Sequence, residues 1–403
     1  MKCAYLYPTL IALLVGGRLS AQPALEKKLQ EQFILAEDGS TITIEAGTFD
    51  MTRSLWLDGK KNVTIRGAGK DKTILNFAGQ REGAEGIKIT NAENITLEGL
   101  SVYDTKGDAV KSQEVNGMTY RDVRTAWTGK PKGKNGAYGL YPVQCTNVLI
   151  ENCEARGASD AGIYVGQSDQ VIVRNSLAHY NVAGIEIENT TNAEVYDNVS
   201  TMNTGGILVF DLPGLIKKKG GHVRVYRNTI KTNNYKNFAP KGNIVGTVPP
   251  GTGVMILATQ QVEIFDNQII ENKTVGTGII SYYITEIPIS DKDYNPYPGS
   301  IYLHDNVYRR KKQMPTLKNK MGVLFFMKFG RKVPDILYDG IANKAWQDAS
   351  GRMFDQYRIC INQNKGATFA NLDAANGFKH ISKDTAGHEC YQPVLSMRYY
   401  PQH

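Results

Sequence analysis

Apolar and polar residues alternate along this chain in short runs that recur at an even spacing. The runs GIYV, GIEI and GILV begin at positions 162, 184 and 206, which are 22 residues apart. The third residue of each Val/Ile-x-Val/Ile run serves as a marker, and the successive gaps between markers range from 22 to 39 residues. The short gaps define a repeat, and the long gaps contain insertions. The markers are Ile65, Leu97, Tyr120, Ile150, Val173, Val195, Val225, Ile264 and Leu303.

Each repeat is long enough for two or three short strands joined by turns of Gly, Asn, Asp and Ser. The marker runs keep the same phase, which favours strands that stack in parallel over hairpins. The pattern therefore predicts an all-β fold, a right-handed parallel β-helix with coils of about 22 residues. Three residues after the marker lies a column of small polar residues, which predicts a structural ladder at one turn. Its later members are Ser176, Asn198, Asn228, Asn267 and Asn306.

The ends of the chain predict four regions. Residues 1–21 have the charge, apolar run and small-residue ending of a signal peptide cleaved before Gln22. Residues 22–39 contain PALEKKLQEQFILA, in which Leu25, Leu29, Phe33 and Leu35 would form the apolar face of a helix that caps the first coil. Residues 40–307 form the β-helix, and residues 308–403 form a C-terminal cap.

Composition adds expectations about location and partners. The formal charge is +8, and losing Lys2 and Arg18 with the signal peptide leaves +6. A basic chain favours encounter with an acidic polymer or an anionic surface, and the alternative is that the charge serves only solubility. No other apolar run would span a membrane, so we expect a periplasmic or secreted protein without a nucleic-acid partner. In an oxidising compartment Cys360 and Cys390 would form a disulfide, whereas Cys153 takes an inward position as a buried thiol.

The outward residues of the GIYV strands predict a candidate binding face. Insertions on one side of a solenoid often shape such a face, and three lie beside these strands, including the one after Phe210, which we expect to cover apolar outward residues. Lys111, Tyr141, Tyr164 and Glu186 would form a polar strip with the ~4.8 Å spacing of stacked strands. One column reads Lys88, Lys111, Tyr141, Tyr164, Glu186, Leu208, Met255 and Ile280, and its neighbour reads Thr90, Gln113, Val143, Gly166, Glu188, Phe210, Leu257 and Tyr282.

A second outward column lies six residues past the marker. It contains Arg156 and His179, and a neutral imidazole beside a guanidinium is a suitable proton acceptor. The alternative is an exposed residue without a role. The sequence contains no close His/Asp/Glu cluster with metal-ligand spacing, so no metal or other cofactor is expected.

The repeat pattern resembles that of exported β-helix proteins of the class that includes pectate lyases, polygalacturonases and mannuronan C5-epimerases, over about residues 40–310. The segment AYGLYPVQCTNVLIENC is similar to an epimerase segment in which an Asp-Pro-His motif serves proton transfer. Here the motif positions are Tyr141, Pro142 and Val143, so an unaltered epimerase mechanism is not expected. Gly221-His222 is followed by valine, which departs from the Gly-His-Gly motif of polygalacturonases.

The segments RICINQNKGATFANLDA, GIYVGQS and GILVFDLPG resemble those of an uncharacterised group of exported bacterial β-helix proteins. That resemblance implies a neighbouring gene for a diheme c-type cytochrome, and hence a possible partner of that kind. It names no reaction.

Two functions of different classes follow. The first is a carbohydrate-active protein that binds and modifies an acidic polysaccharide as a lyase or epimerase. Lys111 or Arg156 would be the cation, and Tyr141, Tyr164 or His179 the acid or base. Lys88, Gln113, Glu188 and Asp211 would bind substrate. A hydrolase would instead use Glu186 with Glu188, or one of them with Asp211. The second function is a non-catalytic scaffold that binds a glycan or a partner protein.

Overall fold

The structure is a computed structural model that describes residues 23–396. The predicted signal peptide and its cleavage site lie outside the described residues. Within them, two α-helices and 30 strands are formed. The helices are α1 (Pro23–Leu35) and α2 (Lys320–Phe329). The strands are β1 (Thr41–Thr43), β2 (Gly47–Asp50), β3 (Arg53–Asp58), β4 (Thr64–Arg66), β5 (Thr73–Asn76), β6 (Glu82–Thr90), β7 (Glu93–Tyr103), β8 (Val110–Gln113), β9 (Asn116–Ala126), β10 (Tyr138–Val143), β11 (Thr146–Glu151), β12 (Glu154–Arg156), β13 (Ala161–Gly166), β14 (Asp169–Arg174), β15 (Leu177–His179), β16 (Ala183–Glu188), β17 (Thr191–Tyr196), β18 (Val199–Thr201), β19 (Gly205–Phe210), β20 (Gly221–Tyr226), β21 (Thr229–Lys231), β22 (Thr252–Leu257), β23 (Gln260–Phe265), β24 (Gln268–Ile270), β25 (Val275–Ile280), β26 (Gly299–His304), β27 (Val307–Arg309), β28 (Ile336–Tyr338), β29 (Ile359–Asn362) and β30 (Phe369–Asn371).

The strands form two parallel sheets that wind around one core. Sheet A has 19 strands and sheet B has 11. A typical coil contributes two strands to sheet A and then one to sheet B, as β11, β12 and β13 do, and each pairs in parallel with its counterpart in the next coil. The predicted parallel β-helix is confirmed.

The predicted register is confirmed along the core. Val173 lies opposite Ile150 on one side and Val195 on the other, and all three are fully buried. The outward columns are also in register, except at their last member. Met255 pairs with Gly278, and Leu257 pairs with Ile280. The predicted assignments of Ile280 and Tyr282 to the two columns were therefore two residues too far along the chain.

A ladder of buried asparagines runs along one turn, as predicted. The Asn198 side-chain amide donates to Val173 O (2.9 Å) and to Asn228 Oδ1 (3.0 Å), and the pattern repeats in later coils. Each such bond contributes about 1 kcal/mol, and leaving its partners unpaired costs more. A second ladder, which the sequence analysis did not identify, consists of Asn181, Asn203, Asn233 and Asn272.

A helix covers the N-terminal end of the coils, and further strands extend the C-terminal end. Helix α1 buries Leu29 and Phe33 against the first coil, whereas Leu35, predicted to lie on its apolar face, is 73% exposed. At the other end β28, β29 and β30 continue both sheets in parallel. The β-helix therefore extends beyond the boundary at residue 307 that the sequence suggested, because these short strands pair despite long loops between them.

The expected disulfide joins Cys360 to Cys390 near this end, while Cys145 and Cys153 are buried free thiols. None of the helices in residues 23–396 is long and apolar enough to cross a membrane.

Candidate functional site

The outer face of sheet B brings the predicted polar strip together. Lys111 lies opposite Tyr141, and Tyr164 lies opposite Glu186 in the paired strands β13 and β16. Lys111 and Tyr141 are partly exposed, but Tyr164 is 4% exposed and Glu186 is 1% exposed. The strip is therefore open at one end and closed at the other, and the continuous open groove expected from the sequence is not formed.

Two loops close the strip. The insertion at residues 232–251 buries Val245 and Val248 against Leu208 and Phe210. The loop at residues 281–298 adds further apolar cover, with Tyr282 buried in the same cluster. The insertion after Phe210, which we expected to supply the cover, contributes only the partly buried side chain of Leu212. The apolar outward residues are thus covered within the chain itself.

Three tyrosines pack where the strip passes from open to closed. The Tyr138 ring lies 4.5 Å from that of Tyr141 and 4.3 Å from that of Tyr164, centroid to centroid. Burial, together with the nearby charge of Asp108, raises the pKa of Tyr141 to about 12. Burial raises the pKa values of Tyr138 and Tyr164 as well. All three phenols therefore carry their protons at neutral pH and serve as donors.

Five carboxyl groups lie on or beside the strip, and burial raises the pKa of each. The pKa of Asp108 rises to about 6. The pKa values of Asp160, Glu188 and Asp211 rise to about 7, and that of Glu186 rises well above its usual range. Like charges nearby add to the effect, since Asp160 and Glu188 each oppose ionisation of Glu186. Asp108, Asp160, Glu188 and Asp211 thus titrate near the pH at which proton transfer is most efficient.

Hydrogen bonds link this cluster to its cover. The Tyr164 hydroxyl donates to Glu188 Oε1 at 2.6 Å, and the Asn243 amide of the insertion donates to Asp160 Oδ2 at 2.8 Å. Glu186 Oε2 is buried and has no hydrogen-bond partner among residues 23–396. An unpartnered buried carboxyl oxygen favours the protonated acid, in line with the raised pKa.

The open end of the strip carries two cations. The Lys111 ammonium lies 5.2 Å from the centroid of the Tyr141 ring, and the Lys88 ammonium lies 5.4 Å from that of Trp56. Neither lysine forms an ion pair with any residue that the structure describes. Both are therefore available to an anionic ligand. Gln113, in the neighbouring column, is partly exposed and donates to Gln144.

Arg156 and His179 lie elsewhere. They face each other in register on β12 and β15, which belong to sheet A. His179 Nε2 contacts Glu154 Oε1 at 3.1 Å, and the Arg156 guanidinium donates to two backbone carbonyl groups. These two residues are thus engaged in structural contacts and do not join the sheet B strip.

The predicted hydrolytic carboxyls are also not open to a polymer. Glu188 is 7% exposed and Asp211 is 3% exposed, beneath the same cover as Glu186. Asp211 accepts from the Gly220 backbone at 3.3 Å. A pair of these groups acting on a bound chain would require the cover to move.

Tyr138, Asp108 and Asp160 were not predicted as site residues from the sequence. Tyr138 begins β10, and the two aspartates lie just before β8 and β13, outside the alternation used to assign faces. Asp108 accepts from the Tyr138 backbone amide at 3.1 Å. The repeat itself offered a way to find them, because residues just before equivalent strands stack between coils as the strands do. Within the described residues, no group of three or more His, Cys, Asp or Glu side chains is arranged to hold a metal ion.

Comparison with solved structures finds the same fold in polysaccharide-acting proteins. The Azotobacter vinelandii mannuronan C-5 epimerase AlgE4 A-module is 14% identical, with a TM-score of 0.51, over 89% of this chain and 93% of that one. The A-module of epimerase AlgE6 from the same organism gives 15% identity and 0.46 over 85% and 89%. An alginate lyase, AlyF-OU02, gives 14% and 0.44 over 91% of both chains. At 14% identity the likeness to the AlgE4 A-module shows the fold alone.

No curated protein matches the sequence. The model of the right handed beta helix region matches residues 55–211 and 132–290, which together span more than half of the chain. The chain therefore belongs to the right-handed β-helix family.

Proposed function

We propose that this chain is a carbohydrate-active protein that binds an acidic polysaccharide at the open end of the sheet B strip and modifies it by proton transfer. The observation that carries the proposal is the meeting of unpaired cations, protonated phenols and a carboxyl of near-neutral pKa on one face. Lys111 lies against the ring of Tyr141, and Asp108 lies close enough for its charge to help burial raise the pKa of Tyr141.

The chemistry of a uronate explains why these groups suit it. The proton on the carbon beside the sugar carboxylate becomes removable when a cation stabilises the charge that develops on the carboxylate. Lys88 and Lys111 supply that cation. Asp108, with a pKa of about 6, is largely ionised at neutral pH and accepts the proton.

Tyr141 then acts as the acid. A phenol with a pKa of about 12 holds its proton until the reaction demands it. Delivery of that proton to the departing glycosidic oxygen completes an elimination, with a carbon–oxygen bond broken and a carbon–carbon double bond formed. Delivery to the opposite face of the sugar carbon instead completes an epimerisation. In the second case no bond to oxygen breaks.

This assignment accommodates the departure from the Asp-Pro-His motif. Tyr141 and Val143 occupy the motif positions, so neither an aspartate nor a histidine is available there. A carboxyl from the preceding coil, Asp108, takes the role of base in the proposal. Tyr164 and Glu186 act from the closed part of the strip. There the Tyr164 hydroxyl donates to Glu188 and holds the tyrosine cluster in place.

The class of substrate is supported by the fold neighbours, which include mannuronan epimerases and an alginate lyase. Export is supported by the Cys360–Cys390 disulfide, which suits an oxidising compartment. The diheme c-type cytochrome partner stays a prediction from the resemblance of the sequence. The apolar outward residues no longer favour the scaffold alternative, since loops of the same chain cover them.

The test is incubation of the purified mature protein with alginate, pectate and polyglucuronate. Ultraviolet absorbance reports unsaturated ends, and proton NMR reports a changed sugar composition. We expect one of these substrates to react, and Lys111→Met to lower kcat/KM by about 10²-fold or more. Lys231→Met, an exposed lysine on sheet A, is the matched control and should react as the wild type does.

Two results would decide against the proposal. Glycan retention without any reaction favours the non-catalytic scaffold. Equal activity of the Lys111→Met and Lys231→Met variants removes the sheet B face as the site.

A further inference from the structure

Helix α2, near the C-terminal end of the β-helix, has apolar residues on all of its sides. Seven of its ten residues are Met, Val, Leu or Phe. A helix of this kind is usually buried all round. Here Phe325 is 3% exposed, whereas Val323 is 37% exposed and Met327 is 76% exposed. We infer that the uncovered side, called the outer face of α2, binds the surface of an anionic lipid bilayer.

The opposite side of α2 fixes the helix on the rest of the molecule. Phe325 packs in a buried cluster that includes Leu337 of β28. At the start of the helix the Asn319 side chain accepts from the backbone amides of Met321 (2.9 Å) and Gly322 (3.3 Å), which caps the helix. The outer face, with Val323 and Met327, is therefore held outward by packing on the side that carries Phe325.

Exposed apolar side chains continue beyond the helix. Lys320, Val323 and Met327 lie on one side of α2, because residues three, four or seven apart share a helix face. Lys320 forms an ion pair with Glu286 at 3.1 Å, which brings the loop at residues 281–298 beside this face. Grouped apolar residues on a surface mark an interaction site. Those exposed in this loop and in the segment just before α2 are Tyr283, Ile287, Met314 and Leu317.

The segment that contains α2 is strongly basic. Residues 311–332 include seven lysines and arginines and no aspartate or glutamate. Of the seven, only Lys320 forms an ion pair within the part of the chain that the structure describes. Burial, together with the nearby charge of Lys318, lowers the pKa of Lys273, so a further cation lies close by. The seven are Lys311, Lys312, Lys318, Lys320, Lys328, Arg331 and Lys332.

Apolar side chains beside unpaired lysines favour a bilayer over the other partners that could cover this face. In a helix at a membrane surface the apolar residues enter the acyl boundary, while lysines reach the anionic headgroups. Protein–protein interfaces are depleted of lysine, which disfavours a second copy of the chain. An acidic polysaccharide would pair with the lysines but would leave Val323 and Met327 without an apolar partner.

The experiment is co-sedimentation of the purified mature chain with lipid vesicles. One set of vesicles contains equal parts of phosphatidylglycerol and phosphatidylcholine, and the other contains phosphatidylcholine alone. We expect the chain to bind the anionic vesicles at least roughly tenfold more tightly than the neutral ones, since each lysine near the anionic surface adds to the attraction. Added salt should weaken binding, because it screens these charges.

A substitution in the outer face tests the apolar contribution. Met327→Gln keeps the net charge and the helix propensity but removes an apolar side chain from the lipid, so it should weaken binding by roughly fivefold or more. Leu35→Gln is the matched control, since Leu35 is 73% exposed in α1 at the other end of the β-helix, and it should bind as the wild type does. Both side chains are mostly exposed, so neither change should lower the melting temperature.

A double substitution tests the charge. Lys311→Gln with Lys312→Gln should weaken binding to the anionic vesicles by about 25-fold, at about fivefold for each lysine. Lys27→Gln with Lys28→Gln removes the same charge from two exposed lysines of α1 and should leave binding unchanged, because these residues lie far from the bound surface.

The inference is overturned if the wild-type chain does not bind the anionic vesicles, or if Met327→Gln and the Lys311 and Lys312 variant both bind them as the wild type does. A wild-type dimer that Met327→Gln dissociates, seen by sedimentation velocity without lipid, would assign the outer face to a second copy and refute the inference. Membrane binding does not rest on the proposed function. Lys111→Met, on sheet B, should bind the vesicles as the wild type does.

Discussion

Single carboxyl groups give the candidate site its pH response, and Glu186 is the clearest case. Its raised pKa means that the folded chain keeps the proton while the unfolded chain releases it near the ordinary value of 4.5. Stability contributed by the protonated form is complete below that value and is lost as the pH rises towards the folded-state pKa. Wild-type stability should therefore decline through this range.

Glu186→Gln removes this decline. We expect no gain in the free energy of unfolding at pH 4.5, and a gain that grows by about 1.4 kcal/mol per pH unit above it until the folded-state pKa is reached. Denaturant titrations at pH 4.5, 6 and 8 measure it. Glu194→Gln is the matched control, since Glu194 is also buried but pairs with Arg224 and Tyr226, and loss of its charge should destabilise the fold. A gain that does not change with pH would contradict the assignment of Glu186.

For single residues, the sequence predicts which side chains lie in the core, but it does not predict the protonation state of buried carboxyl groups. Val173 and the other markers were assigned correctly because alternation in a strand decides which side chain points inward. The open residues Lys111 and Tyr141 were also found. Burial of Glu186 could not be predicted, because the chain that covers it comes from an insertion some 50 residues later in the sequence.

Among the elements, the insertion at residues 232–251 controls access to the closed part of the strip. Within this insertion the Val245 side chain is fully buried, whereas that of Lys241 is exposed. Val245→Asp should detach the insertion, because an unpaired buried carboxylate costs several kcal/mol. The coils beneath should remain, since β19 and β22 pair with each other directly.

Limited proteolysis and the fluorescence of a hydrophobic dye measure whether Val245→Asp detaches the insertion. We expect faster cleavage within residues 232–251 and stronger dye fluorescence for Val245→Asp, with circular dichroism unchanged and Lys241→Asp behaving as wild type. Loss of the β-sheet signal in Val245→Asp would mean that the insertion is part of the folding unit.

Prediction of elements succeeded where the repeat is regular. It failed at β25, where Thr277 and Gly278 give no apolar contrast and the outward columns were shifted by two residues. It also failed at β28 to β30, because strands of three or four residues between long loops carry too little periodicity to recognise.

The whole molecule behaves as a stack in which each coil depends on its neighbours, so its ends are its weakest parts. The Cys360–Cys390 disulfide closes a loop of 30 residues at the C-terminal end. A loop of that size contributes roughly 3 kcal/mol. Reduction should therefore loosen the last coils before the rest.

Amide hydrogen exchange before and after reduction of the disulfide measures this loosening of the last coils. Amides of β29 and β30 should exchange faster in the reduced protein, while those of β14 and β17, in the middle of the stack, keep their protection. Uniformly faster exchange would show that the coils unfold as one unit.

We propose chemistry on the sheet B face and not on sheet A. Its most direct test compares Tyr141→Phe with His179→Gln on whichever polyuronate the wild type modifies. The Tyr141 hydroxyl makes no hydrogen bond within residues 23–396, so its removal should leave folding intact. We predict that Tyr141→Phe lowers kcat by about 10²- to 10⁴-fold and that His179→Gln leaves it unchanged. The reverse result, or equal loss in both variants, would contradict the account.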